Sequence, residues 1–340
     1  MPTSFSLLQP LRAAPRLHQA LRLPIGALCL GLLGACGGGG GSSADSGAPI
    51  VPAPVNGLGI NAGNYQQVAQ AAVSSSAYLL STGDLALSDT PGAGLGRLAE
   101  SPLAKAQLAR PAAVNNRTLP CTLGGSLLLS ADDKNNNGKF DTGDSVSTEA
   151  RGCREDDMTI QGKLAFSAKS LSGDFGSNNY SATLQLSLGD FAVTEAGDTV
   201  TGNGSLEMQV AVASGAVELT LAVDSFTVSG SDGGLSFSHT VRDARLTLRI
   251  PSSGSQTSSM SATLSGNRLE NKSVRVDTQE AFVTAANADF PSSGRMLVSG
   301  ANGSKVRISA QNTNQALVEL DADGDGTFET RSTKAWAELR

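Results

Sequence analysis

The sequence predicts a mainly β protein. Its core is a large antiparallel sheet, curved or partly closed into a barrel, preceded by one helix; a β-sandwich is the alternative. Three observations carry this reading. From Thr122 onward, apolar and polar residues alternate with period two in run after run. Clusters of Gly, Asp, Ser and Asn punctuate those runs at hairpin spacing. No helical pattern separates the runs, which argues against βαβ units and the cofactor sites they bring. One wet face per strand marks antiparallel sheet.

Composition narrows the function classes. With 39% hydrophobic and 16% charged residues in 340, the chain is neither a multispan membrane protein nor a highly charged disordered one. Its 25 basic and 31 acidic residues give −6, which argues against a nucleic-acid partner. Two histidines and four cysteines leave little for metal centres or nucleophilic catalysis, so no enzyme is expected.

Residues 1–35 read as an export signal. Arg12, Arg16 and Arg22 make a basic start without an acid. The apolar run Leu23–Leu33 is too short to cross ~30 Å of hydrocarbon as a helix. It leads into Leu33-Gly34-Ala35-Cys36. Behind that leader, these four residues resemble the lipobox of bacterial lipoproteins. The resemblance covers only the first tenth of the chain. It implies cleavage before Cys36, diacylation of its thiol and acylation of the new amine. Such an anchor exceeds the two lipid signals that stable attachment needs. Cys29 follows Leu28, too bulky for the small position, and is expected to leave with the leader. Gly37 rather than Asp after the cysteine implies, by enteric-type sorting, the outer membrane; which face stays open. Losing three of the 25 basic residues and no acid leaves the mature chain more acidic, without a juxtamembrane polybasic patch.

Residues 36–58 comprise the lipidated cysteine and a tether. It is Gly/Ser-rich at first and Pro-rich later, and about twenty such residues hold a domain roughly 25 Å from the lipid. Residues 59–119 hold the helix and an irregular segment. Asn61–Leu80 is the helix: Asn61 or Asn64 can cap it, and Tyr65, Val68, Ala72 and Leu79 share a face. A Gly-, Ala- and Pro-rich stretch follows, with a candidate short helix at 101–109.

Residues 120–340 form the β domain. The clearest alternating runs are Lys163–Ala168, Thr183–Leu188, Leu206–Val212, Val217–Val223, Leu235–Ser238, Arg245–Ile250, Ser273–Asp277 and Lys305–Ser309. A weak echo, Leu188-Gly-Asp-Phe191-Ala-Val193 against Val223-Asp-Ser-Phe226-Thr-Val228, suggests a duplicated hairpin pair. Aromatics are too scarce for the two girdles of a membrane barrel. Trp336 is expected to plug the core beside the last strand.

Cys121 and Cys153 are the thiols left after processing, and an exported chain meets an oxidising compartment, so a disulfide is expected. Between them lies Asp133-Lys-Asn135-Asn-Asn137-Gly138-Lys139-Phe140-Asp141-Thr-Gly-Asp144. It resembles the DxDxDG calcium loops of EF-hands and related strand-flanked sites. Oxygens fall at positions 1, 3, 5, 9 and 12 with Gly at 6; Lys139 at 7 would offer its carbonyl, and Phe140 takes the inward apolar place. Asn at 3 and 5 lowers the charge, and Asp144 reaches less far than Glu. A second copy is Asp321-Ala-Asp323-Gly-Asp325-Gly326-Thr327-Phe328-Glu329, with Thr327 at the place of Lys139 and Ser332 at position 12. Alternate oxygens on a tight coil converge on one hard cation, so calcium is the implied ligand of both loops. His239, the one histidine outside the leader, is expected to face solvent from a strand.

The sequence therefore points to a non-enzymatic, outer-membrane-anchored lipoprotein. It would be a structural or binding module stabilised by calcium, held to the membrane by acyl chains and serving an envelope protein or an apolar ligand. The alternative is a periplasmic carrier of lipid or another hydrophobic ligand, with an apolar cavity between sheet and helix.

Overall fold

Two asparagines shape the entry to the helix. Asn64 Oδ1 accepts the Asn61 N–H at 2.9 Å, and Asn61 Oδ1 accepts that of Gly63 at 2.8 Å. The chain then enters α1 (Tyr65–Asp84), four residues later than the sequence suggested. Tyr65, Val68, Ala72 and Leu79 are all buried, on the face the periodicity predicts.

The computed structural model describes residues 56–84 and 117–339, except Lys139, Asp156, Asp157, Gly176, Ala196, Gly197, Gly233, Gly234 and Asn287. All belong to one unit, Ala53–Arg340. The leader, Cys36, most of the tether and the candidate helix at 101–109 lie outside the described residues.

Among the described residues, fourteen strands follow α1. The first seven are β1 (Arg117–Pro120), β2 (Ser126–Asp132), β3 (Ser145–Glu155), β4 (Met158–Ser172), β5 (Asn179–Glu195), β6 (Asp198–Ala213) and β7 (Ala216–Asp232). The others are β8 (Leu235–Ile250), β9 (Gln256–Gly266), β10 (Ser273–Thr284), β11 (Ser293–Ser299), β12 (Lys305–Ala310), β13 (Gln315–Asp321) and β14 (Thr330–Ala335). A final turn of helix, α2, spans Trp336–Leu339. Each strand pairs antiparallel with the next, and the order runs from β1 to β14 without a crossover. The fold is thus one large, open, curved antiparallel sheet with one long helix, as the sequence predicted. Its edges are short: β1 ends in Pro120, and β14 carries Arg331 and Lys334. Proline and positive charge both discourage edge-to-edge pairing.

Curvature has a visible cause. Leu235–Ser238 and Arg245–Ile250, read as two runs, belong to one strand, β8. A register shift between Arg242 and Arg245, with Asp243 at φ 46°, puts both Val241 and Ala244 on the buried face. The weak echo marks the same device. In β5 the register shifts between Leu188 and Phe191, with Asp190 at φ 46°. In β7, Val223 and Phe226 are both buried although three residues apart. The two segments lie in the first strands of hairpins β5–β6 and β7–β8. Gly162 in β4 faces the β5 bulge, and a Cβ there would overlap the Asp190 carbonyl. Bulges in neighbouring strands each bend and twist their strand, so together they crease the sheet.

The inner face carries one continuous apolar cluster that includes Leu219, Leu221, Phe226, Leu246, Ile308 and Leu320. Helix α1 lies against β7, β8, β11, β12, β13 and α2. Trp336 fills the end of this core from α2. It is 3% exposed, its ring stacks on Phe290 with centroids 6.5 Å apart, and its Nε1–H donates to the Asn312 carbonyl at 3.1 Å.

His239 corrects an expectation. It is half-buried rather than solvent-facing, on the inner-face side of β8 opposite Val228 and Gly266, and stacked on Phe237. Its own run accounts for this: His239 is in step with Phe237 and Val241, which pack toward the core. Burial, and secondarily the charge of Arg268, hold its pKa below the usual 6.5. The folded state therefore resists protonation that the unfolded state accepts. This stability is complete above the unfolded value, about 6.5, and falls as pH drops below it toward the depressed folded value. Against His239→Leu, the melting midpoint of the native chain should fall further between about pH 7 and pH 5. Parallel curves would mean that the imidazole titrates alike in both states.

Candidate cation-binding loops

Both acidic loops join strands, as their flanks suggested: the first runs from β2 to β3, the second from β13 to β14. They share one wrap. In the first, the Asp133 carboxylate accepts the Gly138 N–H at 2.8 Å, and Asn135 Oδ1 accepts that of Asn137 at 3.0 Å. In the second, Asp321 accepts the Gly326 N–H at 3.1 Å, and Asp323 accepts that of Asp325 at 3.2 Å. The glycine at position 6 has positive φ in each, 77° at Gly138 and 93° at Gly326, a conformation that a side chain would strain.

The second loop concentrates charge. Asp321, Asp323, Asp325 and Glu329 each bring an oxygen to within 4.8 Å of the others, so this acidic group could hold a metal ion. Asp321 is fully buried while the other three are exposed. Among the described residues, Lys305 supplies the only ion pair to the four, with Nζ 3.8 Å from Asp321. Thr327 donates its N–H to Asp325 at 2.6 Å and sits at the exposed rim. Ser332, at position 12, belongs to β14 opposite Val318 and is not part of the cluster.

The first loop gathers its groups differently. Asn135 Nδ2 lies 2.8 Å from Asp141 Oδ2, and Asn137 Nδ2 also donates to that carboxylate. Positions 3, 5 and 9 therefore converge, but with amide nitrogens on the carboxylate. Turning the Asn137 amide by half a rotation would present its oxygen instead, whereas Asn135 Oδ1 is already engaged by the Asn137 N–H. Asp144 is committed elsewhere: 2% exposed, it accepts the N–H groups of Lys134 at 2.9 Å and Asp141 at 2.8 Å. Lys139 lies outside the described residues.

The two phenylalanines at position 8 part company. Phe140 turns inward, edge-on to Phe175 at 5.9 Å. Phe328 instead lies on the outer face, with the Arg307 guanidinium carbon 3.9 Å from its ring centre. The sequence reading missed both Arg307 and Lys305. Their alternation with Val306 and Ile308 could have placed them on the face that carries Glu319 and Asp321.

Cys121 and Cys153 form a disulfide with Cα atoms 5.4 Å apart. It sits in a small cluster of its own with Ala150, Leu127 and Ile160, separate from the main core. The bridge encloses β2 and the first acidic loop.

No protein-family model matches this chain, and neither a curated protein nor a solved structure matches it.

Proposed function

We propose that this protein is a lipid-anchored, non-enzymatic module of the bacterial outer membrane whose β domain is stabilised by calcium. The observation that carries the cation reading is the convergence of Asp321, Asp323, Asp325 and Glu329, with one of the four fully buried. Hard oxygen donors on a flexible loop suit calcium better than magnesium, which demands a smaller octahedral shell and dehydrates reluctantly. A cation would also relieve the repulsion among the carboxylates. The packed inner face supports a module rather than a carrier with an open apolar cavity.

The cation reading is tested by melting the full chain in EDTA and in calcium at matched ionic strength. Extracellular calcium modules bind with Kd of ~10⁻⁴–10⁻³ M. At a Kd of about 0.1 mM, 1 mM calcium adds roughly 1.4 kcal/mol per site, a rise of a few degrees in midpoint. Magnesium should do less. Asp323→Ala should remove most of the second loop's share. Asn135→Ala should cost less, because it removes no charge. Equal midpoints without a heat of binding would make both loops polar turns.

The anchor is tested separately. Cys36→Ser should release the protein from membranes or leave its leader uncut, whereas Cys29→Ser should do neither. A mature N-terminus at any other residue, seen by intact mass, would refute the lipid attachment.

A further inference from the structure

Outside the acidic loops, a shallow, open groove of about 460 Å³ lies on the outer face of β10–β13. Glu280, Arg295, Arg307, Ser309, Leu317 and Glu319 line it. Strand register builds the arrangement. Arg295 pairs with Ser309 across β11 and β12, and Arg307, two residues earlier on β12, pairs with Glu319 on β13. The two arginines are therefore diagonal neighbours on one face, within reach of one small ligand.

Two guanidiniums side by side repel, and each is held in place by its own carboxylate. Arg295 Nη2 donates to Glu280 at 2.6 Å, and Arg307 Nε donates to Glu319 at 2.7 Å. The Glu319 side chain is only 7% exposed. With its Nε edge fixed by Glu319 and its face against Phe328, the Arg307 guanidinium is pre-set in one orientation. Among the described residues its two Nη groups donate to no protein acceptor. Beside this open fork, Leu317 offers an apolar wall.

We propose that this groove binds a small carboxylate with an aliphatic body. A planar guanidinium fork matches the two oxygens of a carboxylate, and Arg295, itself paired with Glu280, stands beside it as a further N–H donor. Leu317 receives the aliphatic part. None of its lining residues belongs to the acidic cluster, but the two sites touch, since Phe328 of the second loop lies against Arg307.

Calorimetry on the full chain tests this with N-acetyl-leucine as the probe and N-acetyl-leucinamide as its neutral counterpart. The carboxylate should bind saturably and at least about ten-fold tighter than the amide, as a charge-assisted hydrogen bond requires. Arg307→Lys keeps the charge beside Glu319 but removes the fork, and should weaken binding about ten-fold with the melting midpoint nearly unchanged. If that variant unfolds, Arg295→Gln carries the test, with a several-fold loss expected. Three results would overturn the proposal: no saturable binding of N-acetyl-leucine, equal binding of its amide, or unchanged binding in the folded arginine variants. Inorganic phosphate that competes as strongly as the carboxylate would overturn the assignment to a carboxylate.

Discussion

Trp336→Ala should destabilise the domain by about 3–5 kcal/mol, the usual cost of emptying a buried tryptophan site. The cost arises in three places. The ring is lost from between Phe290 and Phe282, whose centroids lie 6.5 and 6.1 Å away. The Asn312 carbonyl loses the indole N–H that now reaches it at 3.1 Å. The ring also anchors α2, which packs against α1 and β14. A loss of this size lowers the melting midpoint by roughly 10 °C in a domain this large. Trp336→Phe, which keeps most of the packing and loses only the donor, should cost about 1–2 kcal/mol. Circular dichroism is the right probe, since the substitution removes the only tryptophan in the chain. An alanine variant within about 1 kcal/mol of the native chain would mean that the ring merely lies over a surface.

What the sequence made legible follows from contrast between the two faces. Leu184, Leu186, Met208, Val210, Leu219 and Leu221 are buried beside outward Gln, Glu and Thr, so β5, β6 and β7 stood out at once. Strand β9 was missed because its inward Ala262 and Met260 sit among serines and threonines, small residues that blur the alternation. Strand β14 carries no alternation at all: it is an edge, and its inner side is closed by the helices rather than by its own side chains. The face of His239 was legible from its own run, since it is in step with Phe237 and Val241, whereas the bulge at Asp243 separates that run's parity from that of Leu246.

The loops show the same limit. Spacing alone located the convergence of Asp321, Asp323, Asp325 and Glu329, since the oxygens of a tight coil are set by local geometry. Spacing could not tell that Asp144 turns to the backbone of Lys134 and Asp141. That choice depends on where β2 and β3 deliver the chain. Nor could it tell that Phe328 lies against Arg307 rather than in the core, since that depends on the neighbouring strand.

Breaking the bond between Cys121 and Cys153 should cost about 3–4 kcal/mol, and the loss should be local before it is global. The bridge spans 32 residues, and closing a loop of that length removes a comparable free energy of chain disorder from the unfolded state. The first strands depend on it more than the rest. Cys121, Cys153 and Ala150 form a cluster apart from the main core, with Leu127 and Ile160 as its flanks. Strand β1 has four residues, at the sheet edge. Nearby, Gly125 lies so close to Gly152 that a Cβ would overlap its carbonyl, so the backbone there is held by contact as well as by the bond. Without the bridge, little but edge hydrogen bonds retains β1 and the turn after it. Amide exchange on the Cys121→Ser, Cys153→Ser double variant should therefore accelerate first in β1–β3, including the first acidic loop, while β6–β10 keep the protection of the main core. Calcium affinity at that loop should weaken with it, and affinity at Asp321–Glu329 should not. Uniform acceleration across all fourteen strands would show that the bond supports the whole domain. Unchanged exchange in β1–β3 would show that packing alone holds the edge.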